Sequence, residues 1–317
     1  MRLTKLISWF LLCGVVAFLT NVAGAQQPTR AAGRIVVAKV TGSVIATSLA
    51  DQSQRKLASN DTLTQKYVVT TGGGSSAILV FSNGATLNLG ADSTLSIDEF
   101  LQDPFEKEVA LSDLKEEPTT STTKLNLSRG ELVGNVKHLH EDKGSTFTVN
   151  TPVGAAGIRG TTFRIVFTPD DTGKVFFSLQ TADGTVVFSG EAAASVHVET
   201  GKQITITADV KVDADTGKIT ITSTPTVGAT QDIAASALAD IADKVNNADQ
   251  ATKNTVIQAI QATDTNSGGS SGDNSKDTKK DDTKKDDTTK DSSTPSNNGP
   301  DTTSPQSNTT PGDGKPI

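Results

Sequence analysis

The stretch TPVGAAGIRGTTF, residues 151–163, lies between two alternating apolar–polar segments, and that bracketing decides the fold. Before it, Phe147 and Val149 alternate with Thr146, Thr148 and Asn150; after it come Phe163, Ile165 and Phe167. A period of two is the pattern of a half-buried strand, so the order is strand, connection, strand. The connection carries Pro152 and three glycines, Gly154, Gly157 and Gly160, spaced by three. Glycine admits positive φ and close backbone approach, which points to a tightly wound corner rather than a mobile loop. Its one cation, Arg159, sits between Ile158 and Gly160. Two roles are open to that guanidinium: an exposed anchor for a partner's carboxylate or backbone, or a buried fork onto corner carbonyls. The number of carbonyls in a tight corner favours the second. Thr151, Pro152, Gly154, Gly157, Ile158, Arg159, Gly160, Thr161 and Phe163 are therefore marked as the corner or interaction motif.

Similar short segments run through most of the chain. Strand patterns fall at 35–40, 43–46, 68–70, 77–81, 85–89, 94–97, 124–127, 132–136, 146–150, 162–167, 174–179, 185–188, 195–198 and 203–207. Turn signals separate them at Asn83-Gly84, Arg129-Gly130, Asp183-Gly184 and Thr200-Gly201. The expectation is a mostly β domain over 35–222, a solenoid-like stack of sheets wound around small-residue corners. An acidic segment with Pro104 and Pro118, residues 99–123, reads as a surface excursion, and VKVDADTGKITI at 210–221 as a hairpin that extends the sheet. From 230 to 263 the period changes: Ile233, Leu238, Ile241 and Val245, then Val256, Ile257 and Ile260, predict two short helices. A break near Asn246-Asn247, with Asp249 capping the second helix, is expected, the pair closing one end of the stack. Residues 264–317, including KDTKKDDTKKDDTTK at 276–290, hold almost no core-forming side chain and read as a disordered tail.

At the other end, Arg2 and Lys5 precede an apolar run from Leu6 to Leu19, and Ala23-Gly24-Ala25 precedes Gln26. That is the pattern of a secretory leader over 1–25 cleaved between Ala25 and Gln26, followed by a polar lead-in over 26–34. Retention as an N-terminal anchor is the alternative. The expected compartment is the periplasm or the cell surface of a bacterium, with no membrane span once the leader is removed. Cys13, Met1 and Trp9, the sole residues of their types, all lie in the leader. The remaining chain can form no disulfide and no cysteine-based site. Loss of Arg2 and Lys5 leaves 27 cations against 36 acids and moves the net charge from −7 to −9, no footprint for nucleic acid or anionic lipid.

AGIRGTTF, preceded by FTVNTP, resembles the hallmark of the FecR-type extracytoplasmic domain. The likeness extends through VTGSV at 40–44, LASNDTL at 57–63, VVTTGGGSSAILVFSNGATLNLGADSTLSI at 68–97 and LNLSRGELVGNV at 125–136, covering roughly 35–190. It implies the same stacked β fold. The family's name comes from regulators that relay a signal from an outer-membrane receptor to a sigma factor, through a cytoplasmic segment ahead of a membrane span. Here five residues precede the apolar run, so the expectation shifts to an exported, non-enzymatic binding, scaffold or sensing module without direct cytoplasmic relay. Receptor-linked signalling through a retained anchor, and a structural surface or matrix protein, are the alternatives. The expected partner is an envelope protein or glycan.

No catalytic, cofactor or metal site is expected. The glycines of GAAGIRG and Gly72-Gly73-Gly74 lead into strands, not into the helix N-terminus that helps hold a phosphate. His138 and His140 share a strand face beside Glu141, two candidate ligands where a tight site needs three or four, and His197 is far away. Asp213 and Asp215 before Gly217 fit a hairpin turn better than a calcium loop, since the later acidic ligand is missing. The adjacent carboxylates Asp98-Glu99 and Glu116-Glu117 face opposite ways on a strand and do not span a cleft. Beyond the leader, Tyr67 is the one large polar-tipped aromatic available for stacking on a sugar.

Overall fold

A computed structural model describes residues 30–190, 193–214 and 216–261. The predicted leader, with Ala25 and Gln26, and the low-complexity tail lie outside the described residues. The chain passes repeatedly between two facing sheets. It opens with β1 (Ala31–Ala32) and β2 (Ile35–Thr41), then β3 (Val44–Ser48), β4 (Gln54–Lys56), β5 (Thr62–Leu63) and β6 (Tyr67–Thr71). There follow β7 (Ser76–Phe81), β8 (Thr86–Leu89), β9 (Thr94–Gln102), β10 (Val109–Ala110), β11 (Ser121–Asn135), β12 (Thr146–Thr151), β13 (Gly154–Pro169) and β14 (Lys174–Gly190). The last are β15 (Ala193–Glu199), β16 (Lys202–Val212), β17 (Ile219–Ile221), β18 (Thr226–Val227) and β19 (Gln231–Asp232), before α1 (Ala235–Thr252) and β20 (Val256–Ile257). Part of the polar lead-in is structural, because Ala31 and Ala32 pair with Gln102 and Leu101.

One sheet runs β5, β2, β7, β8, the second half of β11, the second half of β13, the first half of β14, then β16. The other runs β4, β3, β6, β9, the first half of β11, β12, the first half of β13, the second half of β14, then β15. β11, β13 and β14 thus serve both sheets. Each bends where the sequence signals a turn: Arg129-Gly130, Arg159-Gly160 and Asp183-Gly184 are corners inside continuous strands, not breaks between them. Gly130 and Gly160 have φ of 98° and 61°, a region that costs an L side chain about 1–2 kcal/mol. A Cβ on Gly130 would also stand 2.0 Å from Ser93 Oγ.

Alternation turns every second residue into one shared core. Leu79, Leu87, Leu132 and Phe163 come from one sheet, and Leu95, Ile97, Leu125 and Phe188 from the other. Aromatic pairs bridge the layers, with ring centroids of Phe81 and Phe100 5.0 Å apart and those of Phe177 and Phe188 5.3 Å apart. Burying each such ring contributes roughly 1.5–3 kcal/mol. The mostly β reading stands, but a solenoid is not confirmed. Stacked coils pair in parallel, whereas the one parallel ladder among the described strands is β11 with β12. β4 and β15 each pair on one side only, so the sheets keep free edges and do not close into a barrel.

The C-terminal part departs further from expectation. A single helix, α1, runs through Asn246-Asn247, and Asp249 lies inside it rather than capping a second helix. Ile241, Ala248 and Thr252 recur on one face and are buried. That face lies across β8, β11, β2 and β7, on the outer surface of the first sheet and not over an end of the stack. Val256 and Ile257, predicted helical, pair instead with Ala110 and Val109, and Ile260 bridges Phe105. The acidic excursion is therefore a docking strip for the C-terminal segment: Leu111, Ile257 and Val80 form a small second core with Phe105 and Leu114.

A candidate interaction cleft

The 151–163 motif is divided between two ends of the strands. Its first residues make the turn from β12 into β13, where Thr151 Oγ1 donates to the Gly154 carbonyl at 2.9 Å and Val153 is buried. Gly154 (φ 151°) leaves no room for a side chain, since a Cβ there would sit 2.6 Å from the Ser189 carbonyl oxygen. Gly157 pairs with Thr148 on one side and Val187 on the other, and Ile158, Thr161 and Phe163 point into the core. Phe163 packs on Gly134, whose missing Cβ would approach the ring to 2.5 Å. Thr161 Oγ1 is buried without a hydrogen-bond partner.

Arg159 is not the buried fork the sequence favours. Its side chain is 58 % exposed, with Nη1 3.5 Å from Glu141 Oε2. The residue lies on the outward phase of β13, between buried Ile158 and the Gly160 corner, so alternation turns its guanidinium to solvent.

The opposite end of β13 opens on a cleft of about 1310 Å³. One side is formed by Asn126, Ser128 and Arg129 of β11, the 150–155 turn, and Ser189-Gly190 at the end of β14. Residues 216–221 of the β16–β17 hairpin, with Pro225, form the other. The hairpin tip is locked by Asp213, whose carboxylate accepts from the Thr216 N–H at 2.8 Å and its hydroxyl at 2.7 Å. Among the described residues, two cations line the space, Arg129 and Lys218, and none of the lining residues is acidic. Neither makes an ion pair among the described residues, unlike Arg30, Arg55, Lys124, Lys174 and Lys202, each bound to a nearby carboxylate. In the β13–β14 loop, Asp170 accepts the backbone N–H of Lys174 and the hydroxyl and N–H of Thr172, which holds its carboxyl below the usual range.

The histidines are dispersed. His138 is exposed, His140 is half-buried with its backbone N–H directed at Glu117, and neither lies in a regular strand. Among the described residues no three of His, Cys, Asp and Glu converge in a metal-holding group. Glu116 and Glu117 do face opposite ways, but no local pattern signals what the second does. Glu117 is buried, and its carboxylate accepts from Ser121 Oγ at 2.6 Å, from the His140 N–H at 2.7 Å and from Ser145 Oγ. Asn83 Nδ2 extends the network to Ser121 and Thr123. Equally unforeseen, Glu131 meets Arg164 and Lys244 at 2.6 Å each, and Asp240 lies 2.9 Å from Lys244, which ties α1 to the sheet.

Comparison with known proteins places a family within this frame. The FecR protein family model matches residues 67–186, from β6 to the second half of β14. Two crystal structures, at 2.50 and 1.65 Å resolution, are described as "a putative anti-sigma factor from Parabacteroides distasonis ATCC 8503". They align at 16 % identity with TM-scores of 0.33 and 0.32, over 49 % of this chain and 59 % of theirs. The chain thus spans less than two thirds of their length. No curated protein matches. The region that matches the FecR protein model holds the Gly130 and Gly160 corners, the 151–163 motif and most of the shared core.

Proposed function

We infer that this is an exported, non-enzymatic module of the bacterial envelope that binds a protein or glycan and serves sensing or scaffolding. The cleft carries the reading. It is large, walled by Thr, Ser, Asn and Gly together with Val153, Ile219, Ile221 and Pro225, and marked by two cations that make no ion pair among the described residues, and it includes the first residues of the 151–163 motif. Among the described residues its lining offers hydrogen bonds and positive charge but no histidine, cysteine or carboxylate for acid–base or nucleophilic work. The FecR domain itself favours a second reading, receptor-linked signalling through a retained anchor. N-terminal sequencing of the protein from fractionated cells separates them. A start at Gln26 in a soluble or surface fraction supports the binding module, and an intact Met1 in the inner membrane supports signalling. A photo-crosslinking residue in place of Ser128 should then trap a specific envelope component. Absence of any adduct above that of a distant control position, Asn247, would refute binding at the cleft.

A further inference from the structure

The cleft wall built by β17 is a strand edge. Six consecutive residues, 216–221, line the space, and neighbouring side chains of a strand point to opposite faces, so no single face supplies them all. The ladder then fixes which backbone groups lie on that edge. The Asp213 N–H donates to the Lys218 carbonyl at 2.9 Å and the Thr222 N–H to the Asp209 carbonyl at 2.8 Å. These mark 213/218 and 209/222 as hydrogen-bonded pairs, and alternation makes Lys211 opposite Thr220 the third. Ile219 and Ile221, opposite Val212 and Val210, occupy the intervening non-hydrogen-bonded pairs. Their N–H and C=O groups point away from β16. Among the described residues neither takes another backbone partner.

β4, β18 and β19 are less receptive edges. β4 carries Arg55 and Lys56, the charged kind of edge that discourages pairing, and Arg55 is bound to Asp61 and the Thr62 carbonyl. The 35–40 strand is covered over 35–37 by β5 and the 60–61 turn, which leaves only its short end, 38–40, open on that side. β18 and β19 are two-residue pieces interrupted by Gly228, and Pro225 separates them from β17. Beside the free β17 edge, Lys218 and Arg129 make no ion pair among the described residues of a chain of net charge −7. Among the described residues the lining has no aromatic ring on which a sugar could stack.

We propose that the cleft receives an extended, acidic peptide segment of a partner protein. The segment adds as a strand to β17, pairing with the backbone of Ile219 and Ile221, and sets its carboxylates against Arg129 and Lys218. Main-chain pairing supplies affinity and the two cations supply selectivity. The proposal rests on the protein-binding reading above and names the partner's chemistry. The test is selection of random decapeptides, displayed on phage, against the full chain, followed by affinity measurement with synthetic copies of the enriched peptides. Enrichment of Asp- or Glu-bearing sequences is expected. Binding should fall at least tenfold with Ile219→Pro, which removes an outward N–H while leaving the β16 pairs intact. It should fall similarly with Arg129→Glu plus Lys218→Glu, a surface change that leaves the ladder alone. N-methylation at alternate peptide positions should abolish binding in one phase only. Enrichment of neutral or basic peptides, no enrichment, or peptides unaffected by the charge-reversal variant would overturn it. Enriched peptides matching 276–290 would make the chain's own tail the occupant and equally overturn an external partner. If the Ser128 crosslink to an envelope component persists in both variants, the protein-binding reading survives while the β17 proposal falls.

Discussion

Glu117 shows how much one residue can hold when its partners come from several directions. Its buried carboxylate takes hydrogen bonds from Ser121 at the start of β11, from Ser145 just before β12 and from the His140 backbone. Those three contacts fix the crossover that lets β12 pair in parallel with β11. A buried donor left unpaired costs about 1–3 kcal/mol, so Glu117→Ala should destabilise the protein by about 3 kcal/mol or more. Glu117→Gln keeps an acceptor oxygen and should cost about 1–2 kcal/mol. Urea unfolding monitored by circular dichroism reads both. Equal, negligible losses would mean that the network is idle. Nothing in the sequence marks this carboxylate apart from its neighbour Glu116, because the donors are brought to it by the fold and lie up to 28 positions away.

Among elements, the helix is where local pattern and tertiary structure part. Asn246-Asn247 reads as a break, because asparagine's side chain competes for backbone hydrogen bonds. The structure carries α1 straight through, since Ile241, Ala248 and Thr252 on either side bury one continuous face and the Glu131–Lys244–Asp240 ion pairs secure it to β11. Tertiary burial outweighs a propensity difference of well under 1 kcal/mol per residue. Both asparagines are exposed, which yields a discriminating test. In a continuous helix, Asn246→Ala and Asn247→Ala should each stabilise by roughly 0.5 kcal/mol, seen as a raised Tm and slower amide exchange in 244–250. Loss of stability with either would restore the break. The corners tell the converse story. Arg129-Gly130, Arg159-Gly160 and Asp183-Gly184 were legible as places where the backbone turns, but a turn signal does not say whether the strand resumes beyond it in a second sheet.

At the scale of the molecule, alternation in the sequence revealed a β domain and most of its strands, because the period of two is imposed locally by which face meets the core. Which strand pairs with which was not legible. Pairing in β11 depends on Leu132 meeting Leu89 and Ile165 on its two sides, contacts set by chain distances no local pattern encodes. The cleft was hidden for the same reason: the 150–155 turn and the 216–221 hairpin become neighbours only through the stacking of β13, β14 and β16. That stacking also fixes the order of stability. β11 and β13 are each shared by both sheets and carry the deepest core, with Leu125, Leu127, Leu132, Phe163 and Ile165 fully buried. β17 to β19 pair on one side only, in segments of two or three residues. Opening β11 must expose both faces of the core, so its amides can exchange only by global unfolding, whereas the terminal edge can open alone. Hydrogen–deuterium exchange should accordingly show protection in 123–135 and 162–167 that falls with denaturant on the global slope, and rapid, denaturant-insensitive exchange in 219–232. If a protein segment does add to β17, saturating it with a bound peptide should slow exchange at Ile219 and Ile221 while leaving 226–232 fast. Uniform protection across 219–232 in the free protein would show that this edge is already closed, and the cleft could not then accept a strand.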